Sequence, residues 1–498
     1  MRIRFRIGWW LDTCPAWVTQ VLGVWLAVWT AAGASLQSTS GMRPAKLFPD
    51  YTGVVIPPNL APLNLRIEEP GRQYRVEFRS ARGEPIVVSS RTGTIQIPAD
   101  RWRRLLQANA GRPLLCDVQV QDSQGHWVRF QTVTNQIAAE PIDRYLVYRL
   151  LRPLYNLYSE LGIYQRDLTS FDQRPVLEND RFDRGCLNCH TFLKGRSDIF
   201  VLNIRASPQG NPLLVVWSNQ VQRVDRTMGY LSWHPSGRWL AFSVNKLALF
   251  FHTVGETRDV FDSESDLGIY QLDTQTVSFP PSISLTNRNE TWPAWSSDGR
   301  YLYYCSAPQM EVGRFRQIRY DLMRVSFDPE RGQFGEPERL VAAEQTGLSA
   351  AQPKPSPDGR WVLFCLARYG NFPIYQPSSD LYVLDLQAGG YRRLEINSDQ
   401  ADAWHSWSSN SRWVVFTSKR LDGLFARPFF SYVDAQGMFH KPFLLPQADP
   451  GFYDGYLKNF NVPELVCGPI QVSPKQLAEP LRTATTLKRT RPPAAWKP

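Results

Sequence analysis

The stretch "PAWSSDGRYLYYC", Pro293 to Cys305, decides the fold of this chain. A short apolar start leads into a polar turn, and an aromatic-rich run leaves it. Asp298 can bond back to the amides of the turn, and Gly299 supplies a positive φ without steric cost. The same design recurs as "LSWHPSGRWLAFS" (231–243), "PKPSPDGRWVLFC" (353–365) and "HSWSSNSRWVVFT" (405–417). Trp233, Trp295, Pro355 and Trp407 occupy one register, so the repeat steps are 62, 60 and 52 residues. Three units continue into a further strand, "SDLGIYQLD" (265–273), "YDLMRVSFD" (320–328) and "SDLYVLDL" (379–386). A unit of several strands repeated at this length reads as a β-propeller blade.

These repeats resemble the TolB-like (PD40) propellers, whose blades carry a W-S-P-D-G-like turn. The resemblance covers about 198–470 and implies a propeller of five or six blades over 198–472, with "DIFVLNIRASPQGNPLLVVW" (198–217) and "FNVPELVCGPI" (460–470) completing the ring. With "CLNCH" (186–190) and "KPFLLPQADP" (441–450) added, the chain resembles a bacterial group of exported TolB-like proteins that carry a haem-attachment motif. That likeness speaks to fold more than to activity.

At 498 residues, two or three domains are expected. Part of the net charge of +10 sits at the two ends, in Arg2, Arg4 and Arg6 and in Lys488, Arg489, Arg491 and Lys497. No interior stripe has the density of a nucleic-acid surface. Three arginines before the apolar run "AWVTQVLGVWLAVWTAAGA" (16–34) make residues 1–34 a signal peptide cut after Ala34, or an uncleaved membrane anchor. Both readings export the rest, to the periplasm or beyond, with membrane association only through this segment. Residues 35–140 show short alternating runs broken by Gly, Pro and Asn, which predict a β-sandwich-like domain. Val147, Leu150, Leu151, Leu154, Tyr158 and Leu161 match helical spacing and predict a helical connector over 141–197. Residues 473–498 read as a flexible basic tail.

The connector holds the most specific chemical signal, Cys186-Leu187-Asn188-Cys189-His190. Two thiols spaced in this way add across the vinyl groups of haem, and the adjacent histidine binds its iron. No second Cys/His pair supports zinc, and no βαβ context supports a thioredoxin-like dithiol. The motif predicts one covalent haem c per chain, with Cys186 and Cys189 as thioether anchors and His190 as proximal ligand. A haemless structural or redox role is the alternative. The span before the propeller is too short for a separate cytochrome domain, so the second axial ligand must come from distant residues. His405 ranks first by repeat register, then Met228 and His252, whereas His234 falls in a turn and serves it. An open sixth position would turn the site toward peroxide or small-ligand chemistry.

Cys305 and Cys365 fall at equivalent places inside apolar strands and read as buried thiols, and Trp233, Trp295 and Trp407 as core. No G-x-S-x-G, H-E-x-x-H or phosphate loop is present. The function expected is an exported monohaem propeller protein that transfers electrons to an unknown redox or envelope protein partner. The alternative is a non-enzymatic binding or scaffold propeller.

Overall fold

The computed structural model describes residues 39–40, 43–152, 160–205, 210–250 and 258–482. The N-terminal segment 1–34 therefore lies outside the described residues, as does His252. Among the described residues, no helix is long and apolar enough to cross a membrane.

Six four-stranded sheets form a propeller. Blade 2 is built from Cys186–Phe192, Ile199–Arg205, Leu213–Trp217 and Gln220–Val224, in chain order from the axis outward. Blades 3 to 6 repeat this plan, opening with Leu231–Trp233, Arg288–Trp295, Ser349–Pro355 and Asp402–Trp407. Blade 1 is composite: its outer strands are Tyr145–Leu151, Gly162–Asp167 and Gln173–Glu178, and its inner strand is Asn459–Val466. Tyr145 pairs with Val466 and Leu150 with Phe460, antiparallel. Each inner strand touches the next, and Asn459–Val466 touches those of blades 6 and 2, so the ring is closed.

The quoted turns behave as their chemistry requires. Asp298 accepts the amide of Arg300 at 3.0 Å and the Ser296 hydroxyl at 2.6 Å, and Gly299 sits at φ +77°. Asn410 takes the role of aspartate in blade 6, accepting the Arg412 amide at 3.0 Å. The repeat tryptophans Trp233, Trp295 and Trp407 are buried, as are the thiols of Cys305 and Cys365. Apolar clusters fill the seams between blades, with Val147, Ile163, Leu202 and Val216 between blades 1 and 2.

Three boundaries differ from expectation. No helical connector spans 141–197 among its described residues: Tyr145–Leu151 and Gly162–Asp167 are strands, and the propeller begins at Tyr145 instead of Asp198. Leu146 to Leu151 are buried on both faces because this strand lies between two others. A continuously buried strand satisfies helical spacing by default, which is why periodicity misread it. The part of that expected helix at 153–159 is outside the described residues. The tail also begins in order: Pro474–Arg482 is a helix burying Leu477, Ala478 and Leu481 against the outer strands of blades 1 and 2. It covers sheet edges that would otherwise stay open.

Before the propeller lie a seven-stranded sheet, a three-stranded sheet (Leu47–Phe48, Leu65–Ile67, Thr94–Ile95) and the helix Ala99–Ala108, a sandwich-like domain. It is tied to blade 6 through polar bonds. Trp413 Nε1 donates to the Glu140 carbonyl at 3.1 Å, and Ser409 donates to Asp143 through its amide at 2.7 Å and its hydroxyl at 2.6 Å.

Glu290, on the inner strand of blade 4, is buried and accepts the Ser306 hydroxyl at 3.2 Å and the Leu285 amide at 3.3 Å. Burial raises its pKa from 4.5 to about 8. The folded state therefore holds a proton that the unfolded chain releases, so this group's contribution to stability falls as pH rises from 4.5 to about 8. Glu290→Gln is expected to flatten that decline and to raise Tm at pH 8.5 but not at pH 4, read by thermal melts across the range.

Candidate functional site: the axial channel

Five of the six inner strands carry a β-bulge at one register, where two residues oppose one on the neighbouring strand. The bulged pairs are Asn188-Cys189, Trp292-Pro293, Gln352-Pro353, Trp404-His405 and Val462-Pro463. Four first members have positive φ: Trp292 at 56°, Gln352 at 56°, Trp404 at 52° and Val462 at 47°. Left-handed backbone is costly for bulky and β-branched residues, and such strain concentrates where a side chain must be re-aimed. Proline follows in three bulges, where a missing N–H takes nothing from the ladder.

The bulges turn two register positions toward the axis. The first holds Trp292, Gln352, Trp404 and Val462. The position just after the bulge holds His190, Lys354, Ser406 and Glu464. All eight line one cavity of about 50 Å³, together with Tyr230, which stacks on Trp292.

The polar groups here are unusual in having few partners. Gln352 Nε2, Trp404 Nε1 and Ser406 Oγ are buried without a hydrogen-bond partner. The His190 ring is hydrogen-bonded to the backbone of Val147 and Val462, yet burial, Arg149 and Lys354 dominate and lower its pKa to about 3. The imidazole is neutral at physiological pH. Half-buried Glu464 accepts the Phe192 amide at 2.9 Å and the Thr191 hydroxyl at 3.5 Å, joining blade 1 to blade 2. Burial raises its pKa to about 7, against the pull of Lys354.

Arg149 supports the blade 2 bulge from blade 1. Its guanidinium is buried, and Nη1 donates to the carbonyls of Leu187 at 3.0 Å and Asn188 at 2.5 Å.

The residues expected from the sequence are thus distributed. The Cys-x-x-Cys-His lies on the inner strand of blade 2, across its bulge, and not in a connector. Cys186 is buried in the apolar seam between blades 1 and 2. Cys189 occupies the bulge, and its side chain is outside the description. His190 lines the channel, as does His405 from blade 6. His405 is engaged, however: Nε2 donates to the Leu363 carbonyl at 3.0 Å, and Nδ1 lies 3.8 Å from Cys365 Sγ. Met228 is fully buried in the seam between blades 2 and 3, away from the channel lining. His234 serves its turn, bonding Ser236 at 2.7 Å and the Gly299 carbonyl at 3.1 Å. Among the described residues, no group of three or more His, Cys, Asp or Glu is placed to hold a metal ion.

For haem, this arrangement has the chemistry but not the room. The buried, neutral imidazole of His190 is what an axial ligand requires. A macrocycle-sized cofactor needs a cleft of roughly 300–1,000 Å³, whereas the cavity beside His190 is about 50 Å³ and Cys186 packs in an apolar seam. The group does not fit this conformation.

Sequence reasoning missed Gln352, Lys354, Trp404, Ser406 and Glu464. A signal was present for four of them: Trp404 and Ser406 stand three and one residues before the repeat position Trp407, as Gln352 and Lys354 do before Pro355, whereas Glu464 has no such marker.

No family model matches the chain, and no curated protein matches it. Among solved structures it is similar to TolB from Acinetobacter baumannii, at 13% identity and TM-score 0.42, over 74% of this chain and 85% of that one. It is also similar to Kuenenia stuttgartiensis hydrazine synthase, at 13% and 0.30, over 51% and 67%. A chain of a nidogen/laminin complex matches at 8% and 0.37, over 65% and 100%. The propeller assignment rests on the chain's own strand pairing.

Arg149→Met is expected to cost about 2 kcal/mol, because it removes the guanidinium donor to the Leu187 and Asn188 carbonyls. Denaturant melts of the variant check this, with an unchanged midpoint as the contrary result.

Proposed function

We propose that this chain is an exported, non-enzymatic binding protein of the cell envelope that takes a ligand into the axial channel of its propeller. Export rests on the charged and apolar pattern of residues 1–34. The observation that carries the binding reading is the convergence of unpartnered buried polar groups from blades 5 and 6 on one cavity. Each such group costs roughly 1–3 kcal/mol unless something satisfies it. A site that keeps several on one axis is built for an occupant. The test is thermal stabilisation by low-molecular-mass envelope extract. A rise in Tm is expected for the native chain and not for Ser406→Phe, whose ring fills the cavity. Equal shifts in both proteins, or none in either, would sink the reading.

A second reading is favoured by the Cys-x-x-Cys-His spacing and the buried, neutral His190 at the channel: a covalent haem c used for electron transfer with an envelope partner. Protein made in a strain that matures c-type cytochromes should then give a pyridine haemochrome with two thioether links, lost in Cys186→Ala. A mature, folded sample without that spectrum removes this reading.

A further inference from the structure

We propose that the channel ligand is a small monoanion of the carboxylate class, an inference that rests on the binding reading above. The unsatisfied groups are mainly donors. Trp404 Nε1 donates only, and Gln352 Nε2 is an amide donor. Ser406 Oγ donates or accepts as needed. Trp404, Gln352, His190 and Ser406 are 6%, 3%, 3% and 8% exposed, so water does not serve them freely. Lys354, which acts electrostatically on both His190 and Glu464, adds the one ammonium of the lining.

Part of the acceptor side is already committed. Gln352 Oε1 accepts the Trp404 amide at 2.9 Å, and Glu464 Oε1 accepts from Phe192 and Thr191. A cation would meet the Lys354 ammonium and few open oxygens. A dianion would bring two charges out of water against one ammonium, partly offset by Glu464, at a desolvation cost that this pairing does not return. A single negative charge on two oxygens matches the donors, and Lys354 balances it where Glu464 holds its proton.

Size agrees. A cavity of about 50 Å³ equals the space of about four waters at 10–15 Å³ each, which suits a carboxylate with one or two carbons. Two sources share that chemistry, a free short-chain acid and the C-terminal carboxylate of a peptide entering by its end.

The experiment is calorimetric titration of the full chain in chloride-free buffer with acetate, sulfate and methylammonium. Separate arms use a dipeptide with a free C-terminus and the same dipeptide amidated. Acetate is expected to bind, sulfate at least tenfold more weakly, and methylammonium not at all. Trp404→Phe, which keeps the ring and loses the N–H, should weaken acetate at least tenfold, and Lys354→Met should do the same. Trp217→Phe, at an exposed site outside the channel, should change nothing. Binding of the free but not the amidated dipeptide assigns the carboxylate to a peptide end, and binding of acetate alone assigns it to a free acid. Preference for methylammonium or sulfate, or acetate binding unaffected by both channel variants, overturns the proposal. So does heat from no anion at all, the result expected if water alone fills the channel. If envelope extract still stabilises the native chain and spares Ser406→Phe in that case, the binding reading survives and only the ligand class is wrong.

Discussion

The pairing of Asn459–Val466 with Tyr145–Leu151 is the constraint on which the rest depends. It brings together residues 308 apart (459 − 151), and closing such a loop costs about 5 kcal/mol in chain entropy. Phe460, Leu465 and Val466 are buried to 2% exposure or less by the same event. At about 1.5–3 kcal/mol for each side chain, their burial offsets closure. Without this strand, blade 1 would have no inner edge, blades 6 and 2 would lose a neighbour, and the axial cavity would lack one wall.

Closure has a chemical consequence. Six inner strands held side by side bring single residues from far-separated parts of the chain onto one axis. The bulges then decide what faces it, through backbone conformations that Trp292, Gln352, Trp404 and Val462 adopt only at a cost. Arg149 and Glu464 anchor the blade 2 bulge to blade 1, so the wall that carries His190 is braced from its composite neighbour. The result is a small, donor-rich cavity whose chemistry belongs to no single blade.

The Cys-x-x-Cys-His shows how location alters the meaning of a motif. Its spacing is that of a haem-attachment sequence, yet here it overlays the bulge found in blades 1, 4, 5 and 6. Cys189 stands where those blades place Pro463, Pro293, Pro353 and His405, and His190 stands where they place Glu464, Ala294, Lys354 and Ser406. Strand alternation and the bulge send Cys186 into the seam and His190 to the axis. The same five residues thus serve a structural repeat, whatever cofactor they meet.

The propeller was legible because Asp298, Gly299 and their counterparts write local turn chemistry into the chain, and Trp233, Trp295 and Trp407 mark its period. Turns and repeats depend on neighbours in sequence, so the sequence by itself determined blades, buried thiols and the role of His234. Blade 1 was not legible, because a strand buried on both faces carries no alternation and its partner lies at the other end of the chain. The channel was likewise invisible: His190, Gln352, Lys354, Trp404 and Glu464 are spread over 275 residues (464 − 190 + 1), and only ring closure gives them a common axis. Local physics named the parts, and the tertiary structure alone decided which of them meet.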